Sequence, residues 1–433
     1  MTRKPATATT TATAVVGALS LLAAVTGCGK GGDAAAGDPK QLTVLSQYLK
    51  STPGGKVFYD EVAAFSAESG IKVKIVEAGE DLDESYETSL AANKEADVVF
   101  VNLYDKTLAW TKNNATVPVD KYLDDWGLRG KAEPQALKEW TNPEGKAMGF
   151  PFAGFSWPVW YNTALLKKAG VDEIPTTSDE LIDAAEKLRK EGIQPMAVGG
   201  NDWSGQKLFL QISQSYVSKE AARKLDAEGG YCDSDGAMKG IELFTELRDA
   251  GVFADKAQGF TFDAMQNQYY TGKAAIMSQG SWAFSEVPEK VRANTKLAGL
   301  PLPKGAAFDK PTVFTGYTST GFWISPNGDK KQDAVKRFVR HFYRPEVAGH
   351  FVAEASIYPG VKLDAEHRKS DDPLLNSAIN DIPRTTADAQ LPDLHIPAAA
   401  NTPLVQATSL AFGPGHDAEK ICGALDQAYA GAK

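Results

Sequence analysis

The sequence predicts an α/β protein with a parallel, doubly wound sheet, and three observations carry that expectation. Short strand-like apolar runs alternate with amphipathic stretches in the order β-α-β-α-β over residues 42–101. One of these runs, Ala96-Asp97-Val98-Val99-Phe100-Val101, is nearly continuous in apolar residues, as suits a strand covered on both faces. At 433 residues, the chain also exceeds what one ordinary core serves and divides into two or three domains.

Taken in order, residues 42–46 read as the first strand. Val57, Phe58, Val62 and Phe65 then recur at helical spacing and stop before Gly70, a residue suited to ending a helix. Residues 71–76 alternate as a second strand, residues 82–93 form a helix, and residues 96–101 supply the third strand. Ligands of such sheets collect beyond the carboxyl ends of the strands. The candidate loops are therefore Gln47-Tyr48, Gly79-Glu80-Asp81 and Asn102-Leu103-Tyr104-Asp105. Farther on, Thr177 and Glu180 have the spacing of a capping box, opening a helix through Leu181, Ile182, Ala185 and Leu188 to Gly192. Further helices are expected over 205–218, 236–250, 261–272, 331–343 and 416–430, with strands near 274–277 and 322–325.

Composition excludes several classes. With 43% hydrophobic and 23% charged residues, the chain is neither disordered nor collagen-like. A formal charge of -9 opposes binding to a phosphate backbone, so no nucleic-acid partner is expected. His341, His350, His367, His395 and His416 show no His-Glu-x-x-His spacing, and no metal site is expected. No Gly-x-x-x-x-Gly-Lys-[Ser/Thr] loop occurs, so the chain itself is not expected to hydrolyse ATP, and no cofactor is implied.

The N-terminus sets the compartment. Arg3 and Lys4 precede an apolar run from Ala14 to Ala24, too short for a spanning helix, which needs roughly twenty residues. It ends at Val25-Thr26-Gly27-Cys28, which resembles the lipobox of bacterial lipoproteins. The expectation is a signal peptide over 1–27, lipidation of Cys28, and a flexible tether over 28–40 rich in Gly and Ala. The body would then sit on the outer face of the cytoplasmic membrane. In that oxidising setting Cys232 and Cys422 are candidates for a disulfide, with the bonded and free states both open.

The middle of the chain carries a family resemblance. Val159-Trp160-Tyr161-Asn162-Thr163-Ala164-Leu165-Leu166, then Pro175-Thr176-Thr177-Ser178-Asp179-Glu180-Leu181, resemble Tyr-Asn-x-x-Leu-Phe and Thr-Trp-x-Glu-Leu segments of family 1 extracellular solute-binding proteins. Tyr270-Thr271-Gly272-Lys273-Ala274-Ala275-Ile276-Met277, Gly280-Ser281-Trp282 and Leu300-Pro301-Leu302-Pro303 follow in the family's order. Ser178 stands where Trp is usual, Leu166 where Phe is common, and Thr315-Gly316-Tyr317 where a Gly pair is more frequent. The resemblance implies a two-lobed periplasmic-binding-protein-like fold of type II, with hinge-connected lobes closing over ligand. It places lobe one at 41–151 plus 320–365 and lobe two at 155–317 plus 366–433, with crossings near 151–157 and 318–322. It also implies a monomer that delivers a carbohydrate to the permease subunits of an ABC importer with a separate ATPase.

Sugars present apolar C–H faces and a rim of hydroxyls, so their sites need aromatic plates together with amides or carboxylates. Trp203 lies in the polar loop Gly199-Gly200-Asn201-Asp202-Trp203, where Asn201 and Asp202 supply hydrogen-bonding groups beside a ring. Trp282 is, by the resemblance, a platform for the sugar, and Trp157 is a further candidate, whereas Trp160 and Trp323 suit the core. From the other lobe Tyr48, Glu80, Asp81, Asn102 and Asp105 stand at strand ends, with Tyr317 near the return crossing and Tyr358 before Pro359. Two rivals remain at this level. Ferric-iron carriers of the same fold use adjacent tyrosines, and Tyr269-Tyr270 is such a pair; a peptide is another possible solute. A secreted glycoside hydrolase would need two carboxylates flanking the scissile bond.

Overall fold

The computed structural model describes residues 40–432. The expected signal peptide, Cys28 and the tether up to residue 39 lie outside the described residues, as do the side chains of Glu80 and Asp105. Strand β1 (Gln41–Ser46) is paired in parallel with β2 (Lys72–Glu77) on one side and β3 (Val98–Asn102) on the other. Between β1 and β2 runs the helix Pro53–Ser69. The Thr52 hydroxyl accepts the Gly55 N–H at 3.1 Å to cap it, and Gly70, at φ 70°, ends it. Its apolar face buries Val57, Phe58, Val62 and Phe65, and Phe58 stacks on Phe100 with centroids 4.6 Å apart.

From here the chain leaves the first sheet through three closely spaced strands: β4 (Phe150–Pro151), β5 (Ala153–Trp157) and β6 (Val159–Asn162). β6 belongs to a second sheet with β7 (Gln194–Ala197), β8 (Ala274–Ser278) and β9 (Thr295–Ala298), in the order β7-β8-β6-β9. β10 (Thr312–Gly316) returns antiparallel to β5, and β11 (Thr320–Ile324) inserts into the first sheet, completing the order β2-β1-β3-β11-β4. β12 (Tyr358–Pro359) and β13 (Ala387–Asp388) flank the crossing pair, giving β12-β5-β10-β13. Two α/β lobes joined by extended crossings result.

The expectation of a parallel sheet needs one correction. β11 is antiparallel to β3, because it enters from the crossing rather than through a right-handed helical connection. The parallel part is β2-β1-β3, and in the second sheet only β7 and β8 pair in parallel.

The crossing strands approach closely. A Cβ on Gly154 would sit 2.7 Å from the Tyr317 ring and 2.8 Å from the Gly316 carbonyl oxygen, so only glycine fits there. Two helices late in the chain, Gln332–Phe342 and Pro345–Ala355, pack back on Pro53–Ser69. The last two, Ala398–Ala411 and Ala418–Ala430, pack on Trp203–Ser213 and Asp235–Asp249. Cys232 and Cys422 are disulfide-bonded, with Cα atoms 5.1 Å apart, which ties the final helix to the middle of the chain.

Several boundaries differ from expectation. The helix foreseen over 205–218 begins at Trp203, because the Asp202 side chain caps it by accepting the Ser204 N–H. It ends at Ser213, and Ser218 caps a separate helix, Lys219–Glu228. No helix of the described residues is long and apolar enough to cross a membrane.

Candidate ligand-binding cleft

A cleft of about 850 Å³ opens between the lobes. The first lobe contributes the carboxyl ends of its strands. Gln47 and Tyr48 follow β1, Asn102 ends β3, and Thr320 begins β11. These groups are held by one another: the Gln47 side-chain Oε1 accepts the Asn102 backbone N–H at 3.2 Å, and the Asn102 Oδ1 accepts the Thr320 hydroxyl at 3.2 Å. Burial pushes the Tyr48 phenol up to about 12, against the opposing hydrogen bond with Thr320, so it is neutral and a hydrogen-bonding hydroxyl at physiological pH. The Tyr48 ring rests edge-on against Phe100 at 5.1 Å, and Lys106 forms an ion pair with the buried Asp83 at the same wall.

The second lobe and the crossing contribute rings. Trp157 lies at the end of β5, Trp203 opens the helix Trp203–Ser213, and Trp282 sits in the short 3₁₀ helix Ser281–Glu286 after β8. Their centroids are 5.7 Å (Trp157–Trp203), 5.2 Å (Trp157–Trp282) and 6.4 Å (Trp203–Trp282) apart, forming one continuous aromatic wall. Phe155 touches Trp282 at 5.8 Å, and Phe262 stacks on Trp203 at 4.9 Å. Trp157 is 3% exposed and its indole N–H has no hydrogen-bond partner, whereas Trp203 is 39% exposed. The backbone dictates this placement: β5 and β8 deliver Trp157 and Trp282, and the Asp202 cap turns Trp203 into the same space.

Of the residues singled out from sequence, Trp157, Trp203, Trp282, Tyr48, Asn102 and Tyr358 line the cleft. Asp202 does not; its carboxylate is occupied by the Ser204 and Phe262 N–H groups, which makes it structural. Asn201 is exposed on the preceding loop, and Asp81 is exposed beyond Gly79, the residue of that loop that does line the cleft. Tyr317 covers Gly154 and packs on Tyr358 at 6.2 Å, while its N–H donates to Glu139 at 2.6 Å. Tyr269 is fully buried and shares a hydrogen bond with Thr295 at 2.9 Å, and neither it nor Tyr270 lines the cleft. No group of His, Cys, Asp and Glu arranged to hold a metal occurs among the described residues.

Sequence reasoning missed Gln47 as a residue, and Gln206, Lys207, Asp393 and Asn401 altogether. Gln47 had a signal, since it directly follows the first strand. The other four converge from separate parts of the chain: Gln206 Nε2 donates to Asn401 Oδ1 at 3.1 Å, and Lys207 Nζ lies 2.7 Å from Asp393 Oδ2. No local pattern foretells such pairings.

Two α/β lobes, paired crossing strands and a ring-lined cleft at the strand ends define a two-lobed solute-binding protein. The chain belongs to the bacterial extracellular solute-binding protein family, whose match covers residues 50–349. A probable secreted solute-binding lipoprotein from Streptomyces coelicolor has a similar structure, with TM-score 0.81, 48% identity, and 91% of this chain and 99% of that one covered. A chitin oligosaccharide binding protein superposes with TM-score 0.77 at 25% identity, over 90% of this chain and 99% of that one. A probable sugar-binding periplasmic protein of Rhizobium meliloti (strain 1021) is 31% identical over 187 residues. That match spans 41% of this chain and 43% of the relative, less than half of either.

Proposed function

We propose that the protein binds a mono- or oligosaccharide in the cleft between its lobes and delivers it to an ABC importer. The observation that carries the reading is the wall of three mutually contacting tryptophans facing a wall of hydroxyl, amide and carboxylate groups, the two surfaces a sugar presents complements for. Lobe one, over 41–151 plus 320–365, and lobe two, over 155–317 plus 366–433, close about the crossings and bury the ligand. Closure forms the surface that the permease subunits recognise, while a separate ATPase drives import. The protein acts as a monomer held on the outer face of the cytoplasmic membrane by lipids on Cys28, after removal of residues 1–27.

Binding rather than hydrolysis is favoured by the state of the cleft's acids. Of the three described carboxylates in the lining, Asp83 and Asp393 are each ion-paired to a lysine, which leaves Glu286, whose pKa burial raises, without a second free carboxylate to serve as nucleophile. Burial and bonding of Tyr269 likewise speak against a ferric-iron site.

A thermal-shift panel of mono- and oligosaccharides, with amino acids, peptides and ferric citrate as controls, tests the reading. At one hundred times its dissociation constant a ligand that binds only the folded state adds about 2.7 kcal/mol, a plain rise in midpoint. A sugar series raising the midpoint supports the assignment. A shift with iron or peptide alone would remove it.

A further inference from the structure

The second lobe is not aromatic throughout. Beside the tryptophans, the helix Trp203–Ser213 presents Gln206 and Lys207 to the cleft, the segment before the helix Ala398–Ala411 presents Asp393, and the first turn of that helix presents Asn401. Lys207 is 7% exposed, an unusual setting for a lysine, and its Nζ lies 2.7 Å from Asp393 Oδ2. Asp393 Oδ2 is buried against the ammonium, while the Asp393 side chain as a whole is 25% exposed and lines the cleft, so the rest of the carboxylate faces the ligand space. Asp226, 4% exposed, is close enough to feel both the Lys207 ammonium and the Asp393 carboxylate. An ion pair set into the wall of a cleft, with one member partly exposed to it, offers a ligand a donor and an acceptor side by side.

We propose that Lys207 and Asp393 form a specificity-determining ion pair that reads adjacent hydroxyls of a neutral sugar. One hydroxyl donates to the Asp393 carboxylate, and the neighbouring oxygen accepts from the Lys207 ammonium. A ring carrying a carboxylate at that place would draw Lys207 away and face the Asp393 carboxylate stripped of its counter-charge, so the pair selects against uronates. The inference rests on the carbohydrate reading above and goes further by naming the ligand's charge class and the residues that impose it.

Calorimetric titration of the full-length protein with maltose, cellobiose, xylobiose and diacetylchitobiose, and with a uronate-terminated counterpart of each, tests it. Wild type is expected to favour a neutral sugar over its uronate at least tenfold. Asp393→Asn should weaken the neutral sugar at least tenfold and collapse that preference. Because Asp393→Asn leaves the buried Lys207 ammonium without its carboxylate, Lys207→Gln with Asp393→Asn is the second variant. It replaces both charges by amides and should also lose the discrimination, with melting curves reporting on folding. Wild-type affinity and preference retained in a folded variant would overturn the inference while leaving the sugar assignment intact. A wild type that prefers uronates would overturn it too. If wild type binds none of the sugars, neutral or acidic, the proposed function falls and the inference with it.

Discussion

On the second-lobe side of the cleft, Trp157, Trp203 and Trp282 touch each other and are backed by Phe155 and Phe262; on the first-lobe side, Gln47, Asn102, Thr320 and Tyr48 are linked by hydrogen bonds. The rings are held by packing on one another, so the ligand need not order them. The polar groups satisfy one another in the described structure and must exchange some of those bonds for bonds to a hydroxyl, so their net contribution is small while their geometric demands are strict. Affinity should therefore reside chiefly in the aromatic wall, and selection in the polar groups of both lobes.

The sharpest test of that division is truncation of the rings. Trp282→Ala removes a half-buried plate contacted by Trp157, Trp203 and Phe155, and should weaken binding of the sugar selected by thermal shift by about 3 kcal/mol, or roughly a hundredfold. Trp203→Ala, at an exposed edge of the same wall, should cost about tenfold. Calorimetry on both variants checks the order. Equal losses would mean the wall is not graded from its buried centre to its rim.

A second test asks how far the second lobe's interior departs from the apolar pattern. Burial raises the Asp226 carboxyl from an ordinary 3.8 to about 8, against the pull of the Lys207 ammonium. The folded protein thus keeps a proton there that the unfolded chain releases. The resulting destabilisation grows as pH rises from about 4 and levels off above about 8. Asp226→Asn removes this term, so its melting temperature should gain on wild type progressively across that window, by several degrees at pH 8. A constant difference from pH 5 to pH 8 would show that the acid is charged in the fold.

The two walls were unequally legible in the sequence. Trp203 stood out as a ring beside Asn201 and Asp202 in a polar glycine-rich loop, Trp282 through the family resemblance, and Tyr48 and Asn102 through the rule that ligands gather at the carboxyl ends of parallel strands. Asp202 misled, because an Asx residue beside an aromatic in a glycine-rich loop has the same appearance whether it binds ligand or caps a helix; here it does the latter. Lys207 and Asp393 were invisible, since their meeting depends on the helix Ala398–Ala411 docking against Trp203–Ser213. That docking helix was itself unread: it is rich in alanine, carries Pro403 inside, and lacks a one-sided apolar stripe. The antiparallel entry of β11 had the same origin, a connection that runs through the other lobe rather than through neighbouring sequence.

The smallest expected effect lies on the first lobe and separates a ring from its hydroxyl. Tyr48→Phe keeps the edge-on packing against Phe100 at 5.1 Å and Phe58 at 6.4 Å, and removes only the hydroxyl that bonds Thr320. Stability should fall by about 1 kcal/mol, the usual worth of one such bond. Because the phenol ionises only near 12, wild type and variant should show the same dependence of binding on pH between about 6 and 9. Binding itself should weaken only a few-fold, far less than in Trp282→Ala, if Tyr48 acts as a member of a mutually bonded polar wall. A loss as large as that of Trp282→Ala would place a principal ligand contact on Tyr48 Oη and make the first lobe, rather than the second, the main source of affinity.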